Sequence, residues 1–244
     1  MEGFTVEKLS ASISVCVSPA HRFGVDAFLL TDFAGVRAGD TACDLGTGCG
    51  IIPLLFCRNG SPRAIYAVDI QPDAIRQLEE SIALSGLKDV VFPVCADLRE
   101  LPPSVPHGLS LVTCNPPYYP AGSGLQSKTP SGLAARHEVL CTVGDVCRAA
   151  ARLLKYGGRL CLCQRPERLC DVLEAMRQSG VEPKRLRFVA NTAGAEPWLC
   201  LIEGRRGGKP GLRVLPTLPV RGEGGFSREL LDVYGFESNR PERE

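Results

Sequence analysis

The sequence has no C-x-x-C pair, although it holds 12 cysteines in 244 residues. Zinc fingers and zinc ribbons need two such pairs, so this class of metal site is excluded. No apolar run reaches about 18 residues, so no membrane span is expected. The first residues lack a basic start followed by an apolar stretch, so no signal peptide is expected there. The cysteines are therefore interpreted as small buried side chains in a reducing cytoplasm.

A strong charge of either sign is also missing. The formal net charge is +1, which by itself does not indicate a polyanionic partner. Basic residues are nevertheless concentrated after residue 152. Their clusters fit phosphate binding and equally well a solvated surface, and both interpretations stay open. The clusters are formed by Lys184, Arg185, Arg187, Arg205, Arg206 and Lys209.

The sequence does contain a regular alternation of strands and helices. After Gly39, apolar runs such as DTACDLG and AIYAVDI are each followed by a helical segment such as PDAIRQLEESIALSG. This pattern predicts an α/β, Rossmann-like fold whose mostly parallel sheet carries helices on both faces. Pro93 places VVFPVCAD at the sheet edge, because proline cannot donate to a ladder. KRLRFVA and PWLCLIEG, with no helix between them, predict an antiparallel last pair.

A single domain is expected, because no repeat, low-complexity tract or long linker is visible. We divide it into an N-terminal extension (1–38) with the extra helix VDAFLLTDFAGV, a core (39–204) and a C-terminal extension (205–244). Helical spacing of apolar residues continues over 143–156, and Gly157 and Gly158 are expected to stop that helix.

The segment DLGTGCG, residues 44–50, follows a strand and opens a helix. Ligands of doubly wound sheets bind at such strand ends, where glycine lets a ligand approach the backbone. The dinucleotide fingerprint fits poorly, because Gly50 comes one position early and Ile51 stands where that fingerprint has glycine. A carboxylate at Asp44 would also repel a pyrophosphate but attract an ammonium group.

DLGTGCG resembles motif I of the class I S-adenosylmethionine-dependent methyltransferases. The resemblance implies a seven-stranded sheet and S-adenosylmethionine as the cofactor, with no metal. It places Asp44 near the methionine ammonium, Asp69 at the ribose hydroxyls and Asp97 at the adenine amino group. The implied cofactor-binding residues are Asp44, Gly46, Thr47, Gly48, Gly50, Asp69, Ile70, Asp97, Leu98 and Asn115.

The tetrapeptide Asn115-Pro116-Pro117-Tyr118 ends the fourth predicted strand. An NH₂ group with a delocalised lone pair is a poor nucleophile, and two acceptors aimed at its N–H bonds would hold it for methyl transfer. The Asn115 side-chain oxygen and the Pro116 carbonyl can be those acceptors. The prolines leave little entropy to lose at the transition state. Tyr118 offers a stacking face worth about 1–3 kcal/mol per base.

This tetrapeptide resembles the signature of amino-methyltransferases that act on adenine N6, guanine N2 or glutamine amide. AHRFGVDAFLL, NPPYYPAG, ARHEVLC and EGRRGGKPGLRVLPTLPV together resemble the bacterial valine-tRNA adenine-N6 methyltransferase family. The implied substrate is the adenine next to the anticodon of a tRNA. A cytoplasmic enzyme, either monomer or homodimer and without a membrane partner, is expected.

Further residues are candidates for substrate or cofactor contact. Arg22, Phe23 and Asp26 begin the extra helix, which helps to cover the cofactor in the resembling family; plain packing is equally open. Contact with the substrate is expected from Tyr118, Lys128, Arg136 and His137. For Arg136 and His137, the alternative is a hydrogen-bond network at a helix start that includes Glu138.

Two other functions remain open at this point. A protein glutamine methyltransferase would keep the fold and change the acceptor, although such enzymes carry a helical domain in front. A non-catalytic RNA-binding module could retain the cofactor pocket. A nicotinamide oxidoreductase is disfavoured by Asp44 and Ile51.

Overall fold

The fold is built around one large, mostly parallel β-sheet. The computed structural model describes residues 4–116 and 141–235. Seven longer strands form the sheet in the order β8-β9-β7-β6-β3-β4-β5. These are β3 (Thr41–Leu45), β4 (Ala64–Asp69), β5 (Val91–Cys95), β6 (Leu109–Cys114), β7 (Leu154–Gln164), β8 (Val181–Ala190) and β9 (Pro197–Arg206).

Strand directions confirm the predicted sheet. Neighbouring strands from β5 to β7 are parallel. Strand β9 is antiparallel to both β7 and β8, as expected for the last pair. Pro93 lies on β5, the strand at one edge. The opposite edge gains two short parallel strands on β8 that the sequence did not predict, β10 (Arg213–Val214) and β11 (Leu218–Pro219).

Helices cover both faces of the sheet, which separates two apolar cores. The side chains of α1, α2 and α3 pack in one core, and those of α4 and α5 in the other. The short α6 joins the first core through Leu230 and Val233. The helices are α1 (Val25–Ala34), α2 (Ile51–Asn59), α3 (Pro72–Ser85), α4 (Val143–Leu153), α5 (Leu169–Gln178) and α6 (Arg228–Tyr234). A 3₁₀ turn (Pro166–Arg168) precedes α5.

Two hairpins lie outside the main sheet. Strands β1 (Thr5–Lys8) and β2 (Ser14–Val17) form the first, and β12 (Arg221–Gly222) and β13 (Gly225–Phe226) the second. The first is fastened to α3, because the Cys16 N–H donates to Ser81 Oγ at 2.9 Å and Gln77 Nε2 donates to the Cys16 carbonyl at 2.7 Å. The sequence did not predict either hairpin.

The prediction that a helix continues to residue 156 is wrong. Helix α4 ends at Leu153, and β7 begins at Leu154, so Gly157 and Gly158 lie inside a strand. The pairing of β7 with β6 shifts register between Leu109 and Leu111. A Cβ at residue 158 would lie 2.9 Å from the Leu109 carbonyl oxygen, so glycine permits this irregular pairing.

The parallel strands place the residues of DLGTGCG and of Asn115-Pro116 at one edge of the sheet. The register pairs Leu45 with both Val68 and Cys114, so β3, β4 and β6 end side by side. Loops that follow these strands therefore meet above the same edge. Separately, none of the helices within the described residues is long and apolar enough to cross a membrane.

A buried charge network anchors the C-terminal end of α1 to the sheet. Arg159 of β7, 7% exposed, donates to the carbonyls of Ala34 at 2.5 Å and Gly35 at 3.1 Å. Its guanidinium lies 3.5 Å from Glu203, which also accepts a 2.8 Å hydrogen bond from Arg185. Cations therefore satisfy the last carbonyls of the helix, and the buried carboxylate balances them.

Replacing Arg159 should destabilise the protein strongly. The change Arg159→Ala leaves the Glu203 charge, 2% exposed, without one of its cations and removes the cap of α1. We expect the free energy of unfolding in urea to fall by about 3–5 kcal/mol. Arg205→Ala is the matched control, because Arg205 is half-exposed and 3.8 Å from the same carboxylate. The control should cost less than about 1 kcal/mol. Equal losses would contradict this account.

Candidate active site

A cavity of about 340 Å³ lies over the carboxyl ends of β3 to β7. Its wall includes residues that follow four of these strands, together with Asp26 of α1 and the start of α4. The described lining residues that carry the argument are Asp26, Gly46, Gly48, Asp69, Asp97 and Asn115. This is the size range of sites for small molecules and cofactors.

The turn between β3 and α2 forms a floor without side chains. Gly46 and Gly48 have φ values of 73° and 55°, and a Cβ added at either would meet no atom within 4 Å. The N–H groups of Gly46 and Thr47 both donate to the Val68 carbonyl at 2.9 Å. Gly50 serves packing instead, since its Cβ would lie 2.2 Å from Leu78 Cδ1. Of the three predicted glycines, two line the cavity and the third supports them.

Asp69 ties this turn to the neighbouring strand. Its Oδ2 accepts a hydrogen bond from the Gly48 N–H at 2.8 Å, and its Oδ1 accepts one from the Gln71 N–H at 2.9 Å. A carboxylate has about four acceptor positions, so both oxygens can still accept from a ligand hydroxyl. The next predicted residue, Ile70, lies beside it in the cavity wall and is 41% exposed.

Asp97 and Leu98 follow β5 at the far wall, as predicted. The Asp97 carboxylate forms an ion pair with Arg99, whose Nε donates at 3.0 Å. Hydrogen bonds from the Arg99 side chain hold the pKa of Asp97 below its usual range. The charged residues among the described lining residues are all acidic, namely Asp26, Asp69 and Asp97. The cavity is therefore suited to a cationic ligand and unsuited to a pyrophosphate.

Asp44 lies beneath the glycine turn rather than at its mouth. The side chain is 1% exposed, and its Oδ1 accepts a hydrogen bond from Thr113 Oγ1 at 2.6 Å. Burial raises its pKa to about 7, although the Thr113 hydrogen bond opposes the shift. The Thr47 hydroxyl also opposes this shift of the pKa, but within the described residues neither it nor Asp44 Oδ2 makes a hydrogen bond of standard geometry. An unpaired buried carboxylate oxygen favours a positive charge above the turn.

Asn115 is held between two side chains that the sequence did not connect to it. Its Nδ2 donates to Asp26 Oδ2 at 3.2 Å, and Cys163 Sγ, at the end of β7, donates to its Oδ1 at 3.0 Å. Asn115 and Pro116 both line the cavity. Pro117, Tyr118, Lys128, Arg136 and His137 lie outside the described residues, so their predicted roles stay predictions.

Helix α4 begins directly at the cavity, which the sequence did not indicate. Thr142 caps this helix through a 3.2 Å hydrogen bond from the Asp145 N–H, and Asp145 Oδ2 accepts from the Thr142 N–H at 2.8 Å. Cys141, Thr142, Val143 and Val146 consequently line the cavity, together with Gln164. A capping pair of Thr and Asp was the available sequence signal for this wall.

Most of the basic cluster is occupied by contacts within the protein. Lys184, Arg185, Arg187 and Arg206 each donate to a backbone carbonyl, and Arg185 and Arg187 also pair with carboxylates. In the register of β7 with β9, the backbone of Arg205 lies opposite that of Arg159. Gln164, which lines the cavity, is at the other end of β7. These contacts engage the side chains within the protein, and phosphate binding by the group stays a prediction.

The predicted burial of cysteine is confirmed for most of the twelve, and all are free thiols. Burial raises the pKa of Cys161 and Cys200 to about 12, so these thiols stay protonated. No group of three or more His, Cys, Asp or Glu side chains that could hold a metal occurs in the described ranges.

Comparisons with known proteins agree with this geometry. The family model of the TRM5/TYW2 methyltransferase domain matches residues 33–109. A tRNA1(Val) (adenine(37)-N6)-methyltransferase of Erwinia tasmaniensis is 28% identical over 223 residues, covering 90% of this chain and 87% of that protein. The protein of the same name from Parabacteroides distasonis is 28% identical over 184 residues, covering 75% and 76%. The chain is a homologue of these methyltransferases.

Solved structures show the same fold. A predicted O-methyltransferase from Agrobacterium tumefaciens superposes with a TM-score of 0.68 at 18% identity, covering 86% of this chain and 95% of that one. Trm5 of Methanocaldococcus jannaschii, in complex with adenosine, gives a TM-score of 0.60 at 17% identity, covering 85% and 56%. These structures confirm the fold, and together with the homologues they confirm the resemblance to the methyltransferases that the two motifs indicated.

The buried carboxylate should make binding of the cationic cofactor dependent on pH. With a pKa of about 7, Asp44 is increasingly protonated below pH 7, and a positive ligand favours its ionised form. Binding of S-adenosylmethionine should therefore release a proton, and its affinity should fall as pH decreases from 7 to 5.5, by at most about tenfold per unit. Titration calorimetry in two buffers of different ionisation enthalpy measures both effects. Asp44→Asn should abolish the proton release; its persistence in that variant would contradict this role.

Proposed function

We propose that this protein methylates N6 of an adenine in tRNA, with S-adenosylmethionine as the methyl donor. The observation that carries the proposal is the Asn115 amide, held by Asp26 and Cys163 at the wall of a cavity whose charged lining is acidic. An acidic cavity suits a cationic donor, and an oriented amide next to it suits an amine acceptor. The names of the homologues supply the acceptor class.

The residues fit the implied cofactor in chemical type. Gly46 and Gly48 would leave the backbone open to it, and the ionised Asp44 below would attract its ammonium group. Asp69 would accept from the ribose hydroxyls, while Asp97 and Leu98 would face the adenine. Once bound, the cofactor supplies an electrophilic methyl group on a sulfonium. We propose that Thr47, Ile70 and Gly50, the other predicted cofactor-binding residues, support those that contact the cofactor.

Asn115 and Pro116 would act on the acceptor. The Asn115 Oδ1 and the Pro116 carbonyl accept the two N–H bonds of the amine and hold its nitrogen toward the donor. Acceptors placed in advance cost no reorganisation during the reaction. Pro117 would make this loop rigid, and Tyr118 would stack on the base. Lys128, Arg136 and His137 would contact the RNA, whose target base must be unstacked to enter the cavity.

The free thiols favour a reducing compartment. None of the twelve cysteines forms a disulfide, which is the usual state of cytoplasmic proteins. We therefore place the reaction in the cytoplasm, acting on tRNA. We assign residues 1–38, 39–204 and 205–244 to one domain, in which the extra helix contributes Asp26 to the site.

Removing the Asn115 amide should abolish methyl transfer while cofactor binding survives. We expect Asn115→Ala to lower kcat by about 10²–10³, because one of the two acceptors for the amine is lost. The assay is labelled S-adenosylmethionine with unmodified tRNA, followed by nucleoside analysis for N6-methyladenosine. Asn191→Ala, an exposed asparagine at the end of β8, is the matched control and should retain activity.

The same assay separates the acceptor classes. Total RNA and total protein are offered in parallel, and label should appear in the RNA fraction. If the label appeared in glutamine of a protein, the chain would be a protein glutamine methyltransferase and not a tRNA methyltransferase. RNA binding without any transfer by the wild-type chain would leave only a binding module.

A further inference from the structure

Asp26 and Asn115 come from distant parts of the chain and meet at the cavity. Asp26 stands in the first turn of α1, and Asn115 follows β6, 89 residues later. The Asn115 Nδ2 donates to Asp26 Oδ2 at 3.2 Å, while Cys163 Sγ donates to the Asn115 Oδ1 at 3.0 Å. Both Asp26 and Asn115 line the cavity.

Both of these neighbours favour the same orientation of the Asn115 amide. A carboxylate can only accept hydrogen bonds, so it selects the NH₂ end of the amide. If the amide rotated by half a turn, Oδ1 would face the Asp26 oxygens and the Nδ2 group would face the thiol. The first contact would be repulsive, so the rotated state is disfavoured. The oxygen of Asn115 is thereby kept away from Asp26, at the end of the amide that accepts from Cys163.

Helix α1 is a firm support for this contact. Seven of its ten residues are buried, and the Gly35 N–H closes its end on the Thr31 carbonyl at 3.1 Å. The carbonyls of Phe33 and Ala34 accept hydrogen bonds from the anchored Arg185 and Arg159. A side chain on such a helix loses little entropy when it orients a partner.

We propose that Asp26 is a positioning residue for methyl transfer, which acts by fixing the Asn115 amide with its oxygen toward the acceptor amine. This inference rests on the proposed function, in which Asn115 Oδ1 accepts from that amine. The competing role for Asp26 is direct attraction of the cationic cofactor, since it is one of the three acidic lining residues. The two roles differ in one respect. If Asp26 positions Asn115, the effect of an Asp26 substitution on kcat depends on which residue is at position 115; if Asp26 attracts the cofactor, it does not.

The test is a double-mutant cycle of four proteins: wild type, D26N, N115D and D26N/N115D. In the wild-type background, D26N should lower kcat about tenfold and leave the KM for S-adenosylmethionine within about twofold. An amide at position 26 can present either its oxygen or its NH₂ group to Asn115, so it no longer selects one orientation of the Asn115 amide. N115D alone should lose more, because two carboxylates then face each other across the 3.2 Å contact. In the N115D background, D26N should instead raise kcat about tenfold, because the new amide can donate to the new carboxylate.

Thermal unfolding supplies a readout that does not need activity. D26N should raise the Tm of N115D, because it removes the like-charge pair. D32N is the matched control, with the same charge change on an exposed residue of the same helix that does not line the cavity. D32N should change Tm and kcat by the same amount in the wild-type and N115D backgrounds.

Each other outcome has a defined meaning. An equal loss of kcat from D26N in both backgrounds, or a failure of D26N to raise the Tm and kcat of N115D, overturns the positioning role. A rise in the KM for S-adenosylmethionine in both backgrounds assigns Asp26 to the cofactor instead. If Asn115→Ala retains methyl transfer, the proposed function fails, while the sign of the Tm change still reports on the pair.

Discussion

The site depends on one hydrogen bond between neighbouring strand ends, from the Gly48 N–H to Asp69 Oδ2 at 2.8 Å. It joins the turn after β3 to the end of β4, and the two hydrogen bonds to the Val68 carbonyl close the same turn from below. Because Gly46 and Gly48 carry no Cβ, the turn presents bare backbone to the cavity. A side chain at either position would require a left-handed backbone conformation that glycine adopts far more readily.

Around this turn the protein concentrates negative charge where it has little solvent. Asp44 is buried beneath the glycines, and Asp69 and Asp26 face the cavity. Arg99 neutralises Asp97, but no cation stands against Asp44 among the described residues. Such an arrangement costs free energy in the empty protein, and a cationic ligand offsets that cost. The acidic residues that destabilise the protein without a ligand therefore favour a cationic ligand.

The sequence was sufficient to predict features formed by residues that are close together in the chain. DLGTGCG and Asn115-Pro116 each combine a strand end with a turn, and the alternating pattern then requires them to share one edge of the sheet. It was insufficient for contacts between distant segments, such as Asp26 with Asn115 or Cys163 with Asn115. No periodicity encodes those pairs, because they depend on how α1 packs against the completed sheet. The predicted end of α4 at Gly157 and Gly158 was wrong for the same reason, because the irregular pairing of β7 with β6 determines the conformation there.

Helix α1 is anchored at its C-terminal end by Arg159 and Arg185, whereas Asp26 stands at its other end. Ten residues of helix span about 15 Å, so a tilt of about 4° would displace that end by about 1 Å. A shift of this size is enough to disturb a reacting geometry. Glu203, buried in β9, balances the charges of both arginines, so a substitution there would change the position of Asp26 although Glu203 does not line the cavity.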